Sequence, residues 1–225
     1  MIVTGGTGAL GTAVVGALLG AGAFCHVPCL NDTERQAFSH RDHPRVTLIA
    51  NGDLTDEGAV GRLFTSAPKL WASIHLAGGF AFAPIGKTAK QDVMRQIQMN
   101  FLTCYLCCRA AIEAIGRSGG GRIVNVAARP ALEWRTGANM TAYTASKAAV
   151  AALTVALAEE VAKDGILVNA VAPSIMDTPA NRAGMPKADF AAWPKVEEVT
   201  RTILFLASPD NKVSRGAIVP VYGRS

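Results

Sequence analysis

"MIVTGGTGALGTAVVGALLGAG", residues 1 to 22, decides how the rest of the chain is read. A short apolar run ends in "TGGTGALG", Thr4 to Gly11, and an alanine- and leucine-rich stretch of helical character follows. Gly6, Gly8 and Gly11 fit the pattern G-x-G-x-x-G. Alone that pattern says little; between a strand and a helix it gains force. Glycines there let the backbone approach a pyrophosphate, while the helix start offers free amides and the positive end of its dipole. The competing reading is a tight strand-to-helix turn with no ligand. The first strand is short, so either it is trimmed or the start of the protein lies upstream.

Beyond this stretch, apolar runs alternate with helical patterns to the end of the chain. "AFCHV" (23–27), "VTLIA" (46–50), "WASIHLA" (71–77), "GRIVNVA" (121–127), "ILVNAVA" (166–172) and "GAIVPV" (216–221) read as strands. Helices are predicted at 10–21, after an Asp53 or Thr55 cap in "NGDLTDEGAVGRLF", at 90–117, around Tyr143 and Lys147 until Gly165, and at 196–207. Nearly continuous apolar strands separated by helices predict a parallel sheet of about seven strands, covered on both faces. There are no repeats, low-complexity tracts or linkers, so residues 1–225 read as a single doubly wound α/β domain.

Composition narrows the function classes. Half of the residues are hydrophobic and only 17% are charged, which argues for a large core rather than disorder. The net charge is +5, yet the lysines and arginines are scattered, with no basic run and no nucleic-acid motif. That pattern suits a small anionic ligand and predicts no nucleic-acid partner. The apolar stretch 9–24 lacks the charged lead-in of a signal peptide, and no segment is read as a membrane span, so a cytoplasmic protein is expected. Five cysteines are an odd set and a poor disulfide framework. Cys104, Cys107 and Cys108 lie in "MNFLTCYLCCRAAIEAI" with no histidine nearby in the sequence, and they read as packing residues rather than metal ligands. "CHVPC" reverses the haem-attachment order and reads as strand.

Tyr143 and Lys147, four apart on one helix, project from the same face. A nearby ammonium favours phenolate and is expected to lower the tyrosine pKa toward the range useful for proton transfer.

With these pieces in place, the chain resembles the short-chain dehydrogenase/reductase family over nearly its whole length. The resemblance rests on "TGGTGALG", "NGDLTD", "LAGG", "MNFL", "GRIVNV", "YTASK" and "VNAVAPSIMDTP". It implies a Rossmann-type domain that takes NADP or NAD. Gly5, Gly6, Thr7, Gly8, Leu10 and Gly11 would lie at the pyrophosphate, Asp53 and Leu54 at the adenine, and Ala77, Gly78 and Gly79 along the cofactor. Asp53 capping its own helix is the alternative. Tyr143 would be the general acid/base, Lys147 would hold the nicotinamide ribose, and Asn100 would hold a water in the proton relay. Ile175 and Thr178, after Pro173, would contact the carboxamide. The family's NAD-binding members carry an acidic residue at the end of the second strand. Here Val27 is followed by Pro28, Cys29 and Leu30, so a 2′-phosphate is tolerable, Asn31 or Arg35 would contact it, and NADP is favoured. Ala9, "AGGF" and "DTPANRAGMPKADFAAW" are most similar to the dihydropteridine reductase branch, although "GRIVNV" and "ILFLAS" read like ordinary family members.

The family's serine is replaced by Ala127 and Ala128. Losing such a donor costs roughly 2.7–4 kcal/mol at a localised oxyanion, about 10²–10³ in rate. Either a neighbour (Arg129, Thr136, Asn139 or Thr141) substitutes, or a conjugated acceptor such as a quinonoid dihydropterin or a quinone needs no donor. The third possibility is a non-catalytic dinucleotide-binding regulatory protein. Retention of Tyr143, Lys147 and Asn100 favours NAD(P)H-dependent hydride transfer to a small conjugated acceptor or carbonyl. A lid is expected at about 176–194, where Met185, Phe190 and Trp193 either cover a flat substrate, with Phe80 opposite and Ala128 facing it, or merely pack the loop. The family's pairing through its long helices implies a homodimer or homotetramer.

Overall fold

The computed structural model of the chain describes residues 1–50 and 52–225; Asn51, first residue of the "NGDLTD" motif, lies outside them. Its centre is one sheet of seven parallel strands. They are β1 (Ile2–Thr4), β2 (Cys25–Pro28), β3 (Val46–Ile49), β4 (Ala72–His75), β5 (Gly121–Val126), β6 (Ile166–Pro173) and β7 (Ile218–Val221). Consecutive apolar residues on a strand point to opposite faces, so a strand apolar throughout needs cover on both. Ile2 and Ile123 enter one core layer, with Leu63, Leu106 and Leu157 from helices α3 (Glu57–Thr65), α5 (Thr103–Gly116) and α7 (Thr141–Glu160). Their neighbours Val3 and Val124 enter the other layer, with Val14 and Leu18 of α1 (Ala9–Gly20) and Ile203 and Leu206 of α9 (Val196–Ala207).

The strands run in the order β3-β2-β1-β4-β5-β6-β7, so the winding reverses between β1 and β4. Such a reversal opens a crevice at the carboxyl ends of the strands, and the glycine turn begins there, directly after Thr4.

Several local expectations are corrected. Helix α3 starts at Glu57 and is capped by Asp56, whose carboxylate accepts from the Gly58 and Ala59 amides. Asp53 and Thr55 lie too early to reach that first turn; instead the Asp53 carboxylate accepts from the Thr55 amide and hydroxyl. The predicted helix at 90–117 is three pieces: α4 (Lys90–Gln96), a π-helical turn (Ile97–Leu102) and α5. Short helices α2 (Asp32–Ala37), α6 (Arg129–Leu132) and α8 (Pro179–Gly184) were too brief to show a period. Finally, α7 is 20 residues long with mean hydropathy 1.2, so by length and composition one segment could cross a membrane, contrary to the sequence expectation. Its apolarity has another origin: Val150 and Leu157 pack in the core, and Ser146, Lys147 and Thr154 are buried with them.

Candidate active site

The glycine turn divides into positions the fold requires and one it does not. Gly5 adopts φ +64°, and a side chain there would stand 2.7 Å from the Ala77 amide nitrogen. A side chain at Gly11 would overlap the Gly5 carbonyl oxygen. Gly6 packs against Val27, Leu10 is buried beneath the turn, and the Thr7 carbonyl lies 3.5 Å from the Thr12 hydroxyl. Gly8 is different: its φ of −74° suits any residue, and the nearest atom to an added Cβ is 3.5 Å away. Gly8 is also the N-cap of α1, where no side chain caps the amides and no acidic residue occupies the first turn. An open surface over an uncapped helix start is suited to an anion.

Across the crevice, α7 presents Tyr143 half-buried and Lys147 buried. Their proton affinities differ from the sequence expectation. Burial pushes the Tyr143 phenol up to about 12 and pulls the Lys147 ammonium down to about 8. The expected lowering of Tyr143 by Lys147 is absent because desolvation governs both groups, and Lys147 donates 2.8 Å to the Val126 carbonyl. Phe80 covers the tyrosine edge-on, ring centres 5.0 Å apart.

Asn100, in the π turn, spends its side chain on protein groups. Its Oδ1 accepts from the Gly79 amide at 2.9 Å; its Nδ2 faces the Gly79 carbonyl, Gln96 Oε1 and the Ser146 hydroxyl. Ser146 in turn donates to the Tyr143 carbonyl at 2.7 Å. A side chain at Gly78 would stand 2.6 Å from Asn100 Oδ1 and 3.4 Å from Lys147 Nζ, so the structure does bring Gly78, Gly79, Asn100, Tyr143 and Lys147 together.

The remaining cofactor positions line the strand ends. The Ala77 amide lies 3.3 Å from the Thr4 hydroxyl, Pro173 closes β6, and Ile175 is exposed just beyond. Thr178 is buried and caps α8, accepting from the Asn181 amide. Asp53 is exposed and Leu54 buried behind it. Asn31 caps α2, accepting from the Glu34 amide, while Glu34 accepts from the Leu30 amide at 2.9 Å. A carboxylate therefore does stand at the end of β2. It comes from inside the helix, through a reciprocal capping pattern, rather than from the strand itself.

Ala128 is buried as the N-cap of α6, and the Ala127 amide continues the sheet ladder to Val171. Two of the four substitute donors are committed elsewhere. Arg129 donates from Nε to Glu133 at 2.7 Å and lies over the Tyr222 ring, and the Thr136 hydroxyl donates to the Glu133 carbonyl. Asn139 sits at φ +61°, its carbonyl accepting from the Ala83 amide, and Thr141 is exposed at the start of α7. In the lid, Met185 is half-buried, Phe190 is half-buried under Arg182, and Trp193 is buried with its ring 5.0 Å from Phe190. The sequence reading missed His75, which β4 brings to Cys104 and Cys108. The available signal was a polar Ser73 and His75 at alternate positions of an otherwise apolar strand.

Comparison with known proteins agrees with this fold. The sequence profile of a family described as short chain dehydrogenase matches residues 1–188. Galactitol 2-dehydrogenase of Rhizobium johnstonii is 32% identical, covering 98% of this chain and 92% of its own. Cis-4-hydroxycyclohexanecarboxylate dehydrogenase of Sinomonas cyclohexanicum is 33% identical, covering 99% and 94%. The solved structure of ElxO with NADP bound matches with a TM-score of 0.90 over 99% of this chain and 96% of that one, a likeness of fold at 23% identity. These likenesses do not single out a dihydropteridine reductase branch.

Proposed function

The chain belongs to the short-chain dehydrogenase family of NAD(P)-dependent oxidoreductases, and on that footing we propose that it reduces a small conjugated acceptor, dihydropterin- or quinone-like, preferring NADP(H). The observation that carries this reading is a proton donor without its companion. Tyr143, pushed up to about 12 by burial, holds its proton at neutral pH and is therefore placed as a donor rather than a base. Where a second hydroxyl would meet a localised oxyanion there is the buried methyl of Ala128, and Arg129 and Thr136 are both engaged with Glu133. An acceptor that spreads incoming charge over a ring needs that second donor least. The family match and the presence of Tyr143 and Lys147 weigh against the regulatory reading.

The residues present fit a dinucleotide. The uncapped α1 start beside Gly8 would take the pyrophosphate, and Lys147, with one of its three N–H groups on Val126, has others for a ribose. The bound cofactor supplies the hydride. Tyr143 would give its proton to the acceptor, and Lys147 would hold the ribose beside it. Asn100, its amide spent on Gly79 and Ser146, acts by fixing that turn against α7. Phe80, Met185 and Ala128 would wall the acceptor, with Trp193 packing the lid from beneath. The NADP preference rests on Arg35, exposed in the last turn of the short α2, since Glu34 is already engaged by the Leu30 amide. Exposed Met94, Tyr105 and Val155 on α4, α5 and α7 support a homodimer or homotetramer, and five free thiols suit a reducing cytoplasm.

The test is a substrate screen with NADPH and NADH against quinonoid dihydropterin, ortho- and para-quinones, and small ketones. Turnover of the conjugated acceptors above the ketones is expected. Strong ketone activity would refute the ring-acceptor reading and point to Asn139 or Thr141 as donor.

A further inference from the structure

Beneath the catalytic cleft, three side chains meet in the core. His75 enters from β4, while Cys104 and Cys108, one helical turn apart on α5, share the face turned toward it; one ligand atom from each lies within 4.8 Å of the others. All three are buried. Asn125 of β5 brings a fourth donor, its Oδ1 lying 2.8 Å from His75 Nδ1 and 3.5 Å from Cys108 Sγ. We infer that Cys104, Cys108, His75 and Asn125 form a tetrahedral site for one soft divalent cation of the zinc or cadmium type.

The edge lengths support it. Zinc–sulfur bonds of about 2.3 Å and zinc–nitrogen or zinc–oxygen bonds of about 2.0–2.1 Å at tetrahedral angles put S···N and S···O edges at about 3.5 Å and S···S at about 3.8 Å. Cys108 Sγ lies 3.5 Å from His75 Nδ1 and 3.5 Å from Asn125 Oδ1, so two edges are already in place. The His75–Asn125 edge must open slightly and Cys104 close in. Charge supports it as well: two thiolates neutralise a divalent cation, so the core would enclose a neutral cluster rather than a bare ion.

The outer partners are also present. Asn125 Nδ2 donates to Thr154, whose hydroxyl donates to the Val150 carbonyl, which turns Oδ1 into the cluster. In the metal-free protein the His75 Nδ1–H faces that oxygen, and Nε2 lies 2.8 Å from the Ser73 hydroxyl. Coordination through Nδ1 moves the imidazole proton to Nε2, where Ser73 accepts it, the arrangement that orients metal-bound histidines. The thiol protons leave to solvent, so affinity rises with pH.

The test titrates the reduced full chain with Cd²⁺ alone, following cadmium–thiolate absorption in the ultraviolet. Wild type, Cys25→Ser and Cys107→Ser should saturate at one equivalent, and the double variant Cys104→Ser/Cys108→Ser should lose the band. No band in the wild type, or a band that survives in the double variant, overturns the site. Should the double variant not fold, cadmium NMR of the wild type decides: a two-thiolate shift supports the site, and a one- or three-thiolate shift overturns it.

Discussion

The glycine turn at β1 and the segment after β5 face the same crevice but are determined in different ways. From Gly5 to Gly11 the backbone leaves little choice: a positive φ and two contacts too close for a side chain dictate glycine. From Ala127 to Thr136 no such constraint acts, and it returns only at Gly137, packed against Thr144, and at Asn139, with φ +61°. Ala128 has an extended backbone open to any residue, and the polar groups around it are paired among themselves through Glu133. The difference shows why the cofactor half of such an enzyme is legible while the acceptor half is not. Backbone geometry leaves a mark on the sequence, whereas a side chain that could be replaced without strain leaves none.

The sharpest way to break this comparison is to remove the chemistry and keep the scaffold. Tyr143→Phe should cut turnover by about 10²–10⁴, with NADPH titration by nicotinamide fluorescence unchanged. A variant that turns over any identified acceptor at the wild-type rate would take the proton-donor role away from Tyr143. A slightly smaller effect is expected on the acceptor side. Ala128→Ser should leave reduction of a conjugated ring unchanged or slower. On simple ketones it should raise the rate by something approaching 10²–10³, the value of one such donor. Ala127→Ser is the control, because its backbone continues the ladder to Val171. Equal gains from both alanines would mean that neither position faces the acceptor.

How much was legible follows the same division. The strands, their parallel pairing and the turn between β1 and α1 were readable because apolar runs and glycines obey backbone rules. The cap of α3 was misplaced, by three residues at Asp53 or by one at Thr55, since any of several acidic or hydroxyl side chains in "DLTD" fits the pattern and only the true start of the helix selects Asp56. The carboxylate at the end of β2 was missed because it folds back from α2. His75 and the α5 cysteines are separated by 29 and 33 positions, as 104 − 75 and 108 − 75, and only the packing of α5 on β4 joins them. The direction of the Tyr143 shift was misjudged for a related reason: spacing reveals a neighbour but not the burial that outweighs it.

Burial of Lys147 also sets a cost that can be measured. Its pKa falls from 10.5 to about 8 on folding. Below pH 8 the ammonium is charged in both states, and the native state bears the full penalty. Between pH 8 and 10.5 the unfolded chain binds more protons, so stability rises with pH. Tyr143, raised to about 12, acts in the opposite sense above pH 10 and cancels when two variants sharing it are compared. Lys147→Met should therefore be more stable than wild type at pH 7 by roughly 3 kcal/mol at most. The advantage should vanish toward pH 10 in denaturant melts, and dinucleotide binding should be lost throughout. A pH-independent difference would show that the lysine is not desolvated as the structure places it.

The smallest effect tests the turn itself. Gly8 differs from Gly5 and Gly11 in having an ordinary φ and room for a Cβ, so nothing in the protein's own packing asks for glycine. Replacing glycine at a compatible backbone position restricts the unfolded chain and stabilises by about 0.4–1 kcal/mol. Glycine is also the better N-cap than alanine, by a similar amount, so Gly8→Ala should leave the melting midpoint nearly unchanged. The same methyl stands over the uncapped start of α1, where a pyrophosphate would approach, so affinity for NADPH should fall. Gly5→Ala, forced into φ +64° against Ala77, should lower stability and affinity together. A loss of affinity without a loss of stability at Gly8 separates a ligand's demand from the fold's demand within one turn. If Gly8→Ala instead lost stability with unchanged binding, the glycine would be serving the turn, and the pyrophosphate would have to be held elsewhere.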